Sequence, residues 1–167
     1  ADLSAAGRAK MKQLAKHKNI TMQAFGVVGA KDAQEWERVF QFAQEMGVQV
    51  ISVEPSNKHL DIVSELCDKY KIHASLHNHP NPSKYWNPDV VLASLEGRSQ
   101  YMGATADIGH WMRSRLDSVA CLKKLEGCVL HLHFKDLNAF GDLNAHDVHW
   151  GTGKLPIDGV IAELKRQ

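Results

Sequence analysis

Short runs rich in β-branched and apolar residues alternate with longer amphipathic stretches along the whole chain. This alternation is typical of βα units that build a parallel sheet. A predicted strand recurs roughly every 24 to 30 residues, close to the repeat of a (β/α)8 barrel of about 250 residues. Five strands are predicted, at Ile20–Val27, Val48–Val53, Ile72–His77, Met102–Asp107 and Cys128–Phe134. Five strands do not close an eight-stranded barrel, so we predict an α/β chain of the TIM-barrel type with about five βα units.

The stretches between the strands carry apolar residues three and four positions apart, which is the helical period. Helices are predicted at Ala33–Met46, His59–Tyr70, Pro88–Leu95, from Asp117 or Ser118 onward, and at Ile157–Lys165. Gly47 is expected to end the first of these. No linker or low-complexity segment divides the chain, which predicts one domain over residues 1–167. Leu137–Leu155 has no clear secondary structure, and long loops inside compact domains are often functional.

The composition excludes several classes of protein. Lys and Arg number 20 against 19 Asp and Glu, so the net charge of +1 favours neither nucleic acid nor an anionic membrane as a partner. No run of roughly 18 apolar residues occurs, so no membrane-spanning helix is predicted. Cys67, Cys121 and Cys128 lack a CxxC spacing and are expected to be buried apolar residues. The expected compartment is the cytoplasm, or the periplasm if a signal segment once preceded Ala1.

Eight of the ten histidines lie between His73 and His149, nearly all at or just after the C-terminal end of a predicted strand. That edge is where parallel α/β folds bind ligands. Glu54 also follows a predicted strand, either as a site carboxylate or as a solvated loop acid. The strand ends therefore predict one polar site at this edge.

Side chains two positions apart on a strand share a face, which applies to His77 with His79 and to His131 with His133. Two same-face histidines on a core strand need a metal or a hydrogen-bonding network. For His77 and His79, the alternative is that one of them only hydrogen-bonds a neighbouring loop.

Asp107 and His110 form an Asp-x-x-His pair, in which the acid leaves an apolar strand and Gly109 is expected to bend the chain. This spacing lets carboxylate and imidazole converge on one ion or substrate. The alternative is that Asp107 is a buried cap of the next helix.

Other catalytic classes lack their motifs. The Gly-x-Gly of residues 151–153 stands outside any GxGxxG or Walker context, so no nucleotide site is predicted. The sequence also has no Gly-x-Ser-x-Gly elbow, which disfavours hydrolysis by a side-chain nucleophile.

Taken in order, five motifs resemble those of the xylose-isomerase-like barrel superfamily: Val-Glu-Pro, His-Asn-His-Pro, Asp-Ile-Gly-His, His-Leu-His-Phe-Lys-Asp and Trp-Gly-Thr-Gly-Lys. The superfamily includes sugar phosphate isomerases and epimerases, ketose 3-epimerases, inosose dehydratase and endonuclease IV. Each motif alone is modest, but their order and spacing are specific and span nearly the whole chain. The resemblance implies that the five strands correspond to barrel strands three to seven. The first two strands and the last βα unit are then expected to be missing.

The resemblance implies that Asp107 and His133 are metal ligands and that His110 contacts substrate oxygens. Family epimerases complete the site with two glutamates, and in this chain the pattern differs. The fifth-strand position reads His-Asn-His, so His79 is predicted to be a further ligand and His77 a substrate contact.

The same departure leaves the proton-moving carboxylate without its usual position. Glu54, one strand earlier, is predicted to take that role. Lys135 is predicted to orient substrate oxygens, and His131 to support the site.

The resemblance implies an isomerase or epimerase of a sugar, sugar phosphate or related polyol that works through an enediolate. The expected cofactor is Mn2+, Mg2+, Co2+ or Zn2+, which stabilises charge on the substrate. The alternatives are an inosose-type dehydratase with the same first step, a non-catalytic carbohydrate-binding barrel, and an endonuclease IV-like phosphodiesterase with three zinc ions. A second copy of the chain is a further expected partner, because an open sheet has unpaired edges.

Overall fold

The computed structural model describes residues 4–167. Residues 1–3 lie outside the described residues. The alternative of a signal segment before Ala1 lies outside them as well. The elements follow in the order α1 (Ala5–His17), β1 (Ala24–Val28), α2 (Ala33–Met46), β2 (Val50–Val53), a 3-10 turn (Asn57–His59), α3 (Leu60–Tyr70), β3 (His73–His77), α4 (Pro88–Leu95), β4 (Met102–Asp107), α5 (Ile108–Arg113), α6 (Ser118–Lys124), β5 (Val129–His133), β6 (Asp136–Leu137), β7 (Asp147–Val148) and α7 (Ile157–Arg166).

Strands β1 to β5 form one parallel sheet whose spatial order is their order in the chain. Each strand reaches its neighbour through a connection that contains a helix, as in successive βα units of a barrel. Strands β1 and β5 are the two edges. The prediction of five strands in an open part of a TIM-type barrel is confirmed.

The predicted strand limits differ most at β1, which begins at Ala24 rather than Ile20. The backbone N–H of Ile20 donates to the carbonyl of Ala15, 2.8 Å away, so this residue closes the C-terminal end of α1. An apolar side chain that is 60% exposed therefore belongs to a helix end and not to the sheet.

The predicted limits of α2 and α4 are confirmed, and local chemistry explains them. The Asp32 side chain caps α2 by accepting from the backbone N–H of Glu35 at 2.8 Å. Gly47 ends this helix with φ of 72°, the left-handed conformation that glycine adopts without strain. Pro88 follows the capping residue Asn87 as the first residue of α4.

Two helices were not expected from the sequence. Helix α1 has no buried residues, and its two large apolar side chains, Met11 and Leu14, are exposed. Helix α5 contains Gly109, which was expected to bend the chain, and that expectation is wrong. Gly109 lies inside the helix, and a Cβ there would come within 2.9 Å of the Cβ of Lys135, which explains why the position is a glycine.

The region Leu137–Leu155, expected to lack clear secondary structure, contains residues of two short strands. Its short strands β6 and β7 pair antiparallel, with Asp136 opposite Val148. The pairing fixes part of the long loop beside the C-terminal edge of the main sheet.

The apolar core lies between the sheet and its helices, and Trp36, Phe40 and Trp111 are among its fully buried members. Cys67 and Cys121 are buried free thiols, as predicted, whereas Cys128 is half-buried. Within residues 4–167, none of the helices has the length and apolar character needed to cross a membrane.

Candidate active site

The C-terminal ends of β2 to β5 bring the predicted site residues together. Because neighbouring parallel strands end at the same edge, residues distant in sequence become neighbours there. Asp107 and His133 are register partners on adjacent strands. The gathered residues are Glu54, His77, His79, Asp107, His110, His131, His133 and Lys135.

Asp107 is fully buried and uses its two carboxylate oxygens differently. Oδ1 accepts from the backbone N–H of His110 at 3.0 Å and so caps α5. Oδ2 faces the cluster, with Lys135 Nζ at 2.7 Å, His133 Nδ1 at 3.2 Å and His110 Nε2 at 3.6 Å. Asp107 therefore caps the helix through Oδ1, as the alternative interpretation expected, and turns Oδ2 toward the other predicted site residues.

The charge state of Asp107 follows from these contacts. Burial alone would raise its pKa. Hydrogen bonds from His133, His77 and Lys135 outweigh burial, so the pKa of Asp107 lies well below its usual value. The carboxylate is ionised at neutral pH.

Three atoms of this cluster lie close enough together to be candidate ligands of one ion. Asp107 Oδ2, His77 Nε2 and His133 Nδ1 are separated by 3.1, 3.2 and 3.7 Å. Ligands bound at about 2.1 Å with tetrahedral or octahedral angles lie about 3.0 to 3.4 Å apart. The separations of 3.1 and 3.2 Å fall in this range, and the 3.7 Å between His77 and Asp107 is slightly longer. A donor set of two imidazoles and one carboxylate suits a borderline divalent cation such as Zn2+, Mn2+ or Co2+. The residues therefore fit a divalent metal.

A second group adjoins the first and shares His77 with it. Glu54 Oε1 contacts His77 Nδ1 at 3.1 Å and also hydrogen-bonds His79 Nδ1. Possible ligand atoms of these three residues lie within 4.8 Å of one another. Among the described residues, His79 and Asp107 form no pair within 4.0 Å, so His79 belongs with Glu54.

Glu54 is partly exposed and ionised. Burial opposes its ionisation, but hydrogen bonds from His77 and His79 are stronger in sum and hold the pKa of Glu54 below its usual value. This carboxylate is an available proton acceptor at the rim of the cluster.

His77 connects the two groups. Its side chain is 2% exposed, with Nδ1 toward Glu54 and Nε2 toward His133 and Asp107. Burial lowers its pKa, but the hydrogen bonds with the two carboxylates prevail and raise it. Both ring nitrogens of His77 thus contact other residues of the cluster, and its predicted substrate contact stays a prediction.

His110 differs from the other histidines in its electrostatic environment. Burial, helped by the positive charges of Lys135 and Arg113, lowers the pKa of His110 to about 4. Its ring is therefore neutral at physiological pH. Its distance from Asp107 also places it in a possible ligand group with Asp107 and His77.

His131 lies deeper in the sheet, two residues before His133. The two rings have centroids 5.0 Å apart, in agreement with the shared face expected from alternation. Burial lowers the pKa of His131. Its Nδ1 is buried and has no hydrogen-bond partner within residues 4–167.

Asn78 is a site residue to which the sequence assigned no role. Asn78 lies between His77 and His79 in the sequence, and its side chain is buried. Its Nδ2 donates to the Asp107 carbonyl at 2.9 Å, and its Oδ1 accepts from the Asp107 N–H at 2.7 Å. This reciprocal pair fixes the end of β4. A buried amide inside the His-Asn-His motif was the available signal.

Arg113 and Asp136 were also missed. Arg113 Nη1 hydrogen-bonds His110 Nδ1 at 3.2 Å. Residues three positions apart lie close together on a helix, so the spacing of Arg113 from His110 predicts this contact only if α5 is recognised as a helix. Asp136 is buried and accepts backbone N–H groups from Gly151, Gly153 and Leu155, which holds the long loop at the site edge.

The chain matches no protein-family model, and no curated protein matches it either. Solved structures do match. An uncharacterised protein from Parabacteroides distasonis is 37% identical with a TM-score of 0.74, and the match covers 99% of this chain and 65% of that one. A D-tagatose 3-epimerase-like protein is 20% identical with a TM-score of 0.78, covering 98% and 73%. An IOLI protein with a bound zinc atom is 18% identical with a TM-score of 0.72, covering 93% and 68%.

These likenesses define the class of fold. The chain has the fold of the xylose-isomerase-like TIM barrels, which is the fold that its motifs predict. It spans less than two thirds of the length of the Parabacteroides protein.

Proposed function

We propose that this protein is a divalent-metal-dependent isomerase or epimerase of a sugar, sugar phosphate or related polyol. The convergence of Asp107 Oδ2, His77 Nε2 and His133 Nδ1 within 3.7 Å at the strand ends carries the proposal. The barrel fold shared with a D-tagatose 3-epimerase-like protein supports it.

Asp107 and His133 are the proposed cation ligands, as the sequence predicts, and His77 is the proposed third. His79 remains a predicted ligand through its group with Glu54 and His77. Candidate ions are Zn2+, Mn2+, Co2+ and Mg2+, and the zinc bound by the structurally similar IOLI protein supports the first. When bound, the ion would supply Lewis-acid stabilisation of negative charge on substrate oxygens.

The chain's own residues supply the proton chemistry. Glu54 is ionised and stands at the rim, so it is the proposed base that removes a proton from the substrate carbon next to the carbonyl. Lys135 carries an ammonium group at the same side of Asp107 as the cluster, and with His110 it would orient substrate oxygens. Removal of that proton yields an enediolate, which is reprotonated on the other carbon by an isomerase and on the other face by an epimerase.

The test measures metal binding and proton exchange separately. The purified protein is dialysed against Zn2+ or Mn2+ and its metal content is measured by plasma mass spectrometry. Exchange of carbon-bound hydrogen for deuterium is then followed by NMR over a panel of aldoses and ketoses in D2O. We expect about one ion per chain, and a loss of affinity of at least about 100-fold in Asp107→Asn, because a ligand matters at least as much as its supporting hydrogen bonds.

Two variants complete the design. Glu54→Gln should retain the metal and lose the exchange, whereas Asp89→Asn removes an exposed carboxylate paired with Lys124 and should change neither. Three zinc ions per chain would instead favour the phosphodiesterase alternative. Unchanged metal content in Asp107→Asn would contradict the proposed site.

A further inference from the structure

The guanidinium of Arg113 is held from several sides. Its Nε donates to the Ala145 carbonyl at 2.9 Å, and Nη2 donates to Asp147 Oδ1 at 2.9 Å. The remaining terminal nitrogen, Nη1, lies 3.2 Å from His110 Nδ1. The side chain is only 13% exposed. Arg113 is therefore a fixed donor placed against one particular ring nitrogen.

A guanidinium can only donate hydrogen bonds and stays protonated in proteins. His110 Nδ1 must therefore accept, which requires that it carry no proton. The neutral ring then has its proton on Nε2. The hydrogen bond thus selects one tautomer and also disfavours the doubly protonated ring.

The backbone of His110 is fixed as well. Its N–H donates to Asp107 Oδ1 at 3.0 Å, and its carbonyl accepts from Ser114 Oγ at 2.8 Å. With backbone and Nδ1 both held, Nε2 is the free end of the ring. It faces the cluster, 3.6 Å from Asp107 Oδ2.

We propose that Arg113 is a positioning residue that holds His110 as the neutral Nε2–H tautomer. His110 is then a hydrogen-bond donor toward a substrate oxygen and not a cation ligand, since a protonated nitrogen has no lone pair to offer. The substrate half of this statement rests on the proposed function. The proposal also decides between two possible ligand groups that share Asp107 and His77. It excludes His110 as the third ligand and leaves His133.

The same contacts give the long loop a role. Both other anchors of Arg113, Ala145 and Asp147, belong to the loop between β5 and α7. The loop therefore acts on His110 through Arg113.

The test reads the tautomer directly and needs no substrate. Long-range 1H–15N NMR of the histidine rings at neutral pH, assigned by comparison with His110→Asn, should show Nδ1 unprotonated and Nε2 protonated. In Arg113→Met the two tautomers should mix, with the ratio of Nε2–H to Nδ1–H falling by about tenfold, which is the ratio one charge-assisted hydrogen bond supports.

Arg115→Met is the matched control. Arg115 is exposed and donates to the Gly141 carbonyl of the same loop, but it is not among the residues that contact His110. This variant should leave the His110 spectrum unchanged. If Arg113→Met does not fold, the wild-type spectrum still decides, because a proton on Nδ1 would overturn the proposal.

An unchanged His110 spectrum in folded Arg113→Met would overturn it as well. Where the wild type exchanges sugar protons, Arg113→Met should lower kcat more than it raises KM. Absence of any exchange in the wild type would count against the proposed function, whereas the tautomer assignment would stand on the spectra alone.

Discussion

The two faces of the main sheet differ in chemistry although they belong to the same strands. Residues that point toward the helices are apolar and fully buried, namely Ile51, Val53, Ala74, Leu76, Ala104 and Ala106. Residues between them point the other way and are polar, namely Ser52, Ser75, His77, Thr105 and Asp107. Parallel sheets covered on both faces usually carry apolar residues on both.

The polar face avoids the cost of burying unpaired groups by internal pairing. Thr105 Oγ1 donates to Ser75 Oγ at 2.7 Å and lies 3.0 Å from Ser52 Oγ. Next along the strands come His77 and Asp107, paired with each other and with charged neighbours. The helix-facing side therefore buries the apolar surface, which is the main favourable contribution to folding, and the opposite side carries the polar groups available for chemistry.

Leu76→Ala should destabilise the fold more than either Asp136→Asn or Thr105→Val. Leu76 is completely buried on the helix-facing side, so its truncation leaves a cavity and costs about 2–5 kcal/mol. Chemical denaturation measures this loss. Metal content per folded molecule should stay unchanged although His77 is the next residue, and a loss of metal would break the division between the faces.

The fold was predictable because the pattern of strands and helices repeats, and because the apolar positions of α2 and α3 mark a buried stripe. Helix α1 was missed because the search for a buried apolar face does not find a helix that buries no residue, although its Ala, Lys, Met, Gln and Leu residues favour a helix by intrinsic propensity. Helix α5 was hidden by Gly109, which is a glycine because a side chain there would clash with Lys135 from a distant part of the chain. Only the miss at α5 concerns a contact between distant parts of the chain, which local pattern does not encode.

The site was predictable to the level of which residues gather, because strand ends in a parallel sheet share one edge. The pairing of atoms was not predictable. His77 joins both groups, and Arg113 contacts His110 while it is anchored to the long loop. Both arrangements depend on tertiary contacts between distant parts of the chain. The ligand and substrate roles of the histidines stay predictions.

Asp136→Asn should have an intermediate effect and extends the comparison to the loop. The buried Asp136 carboxylate accepts N–H groups from Gly151, Gly153 and Leu155 at 2.8–3.0 Å, and the variant should cost about 1–3 kcal/mol. Burial raises its pKa, but these backbone hydrogen bonds prevail and lower the pKa below 3.8.

The sign of the pH dependence follows from that lowered pKa. The stabilisation is complete above the unfolded value near 3.8 and is lost as the pH falls through the lower folded value. The difference in unfolding free energy between wild type and Asp136→Asn should therefore be full at neutral pH and shrink in acid. A constant difference across this range would show that the charge of Asp136 is not what holds the loop.

Thr105→Val should have the smallest effect and tests the polar face itself. Valine keeps the shape of threonine but removes the hydroxyl that joins Ser52 and Ser75, while Ser75 Oγ still donates to the Ile51 carbonyl at 3.3 Å. We expect a loss of about 1 kcal/mol, because one of the two serines retains a partner. Thr105→Ser, which preserves the hydroxyl, should restore the hydrogen bonds and lose only a methyl group. If Thr105→Val instead cost as much as Leu76→Ala, the polar face would be a main source of stability, and substitutions in the neighbouring cluster would have to be interpreted as folding defects before any chemistry is inferred from them.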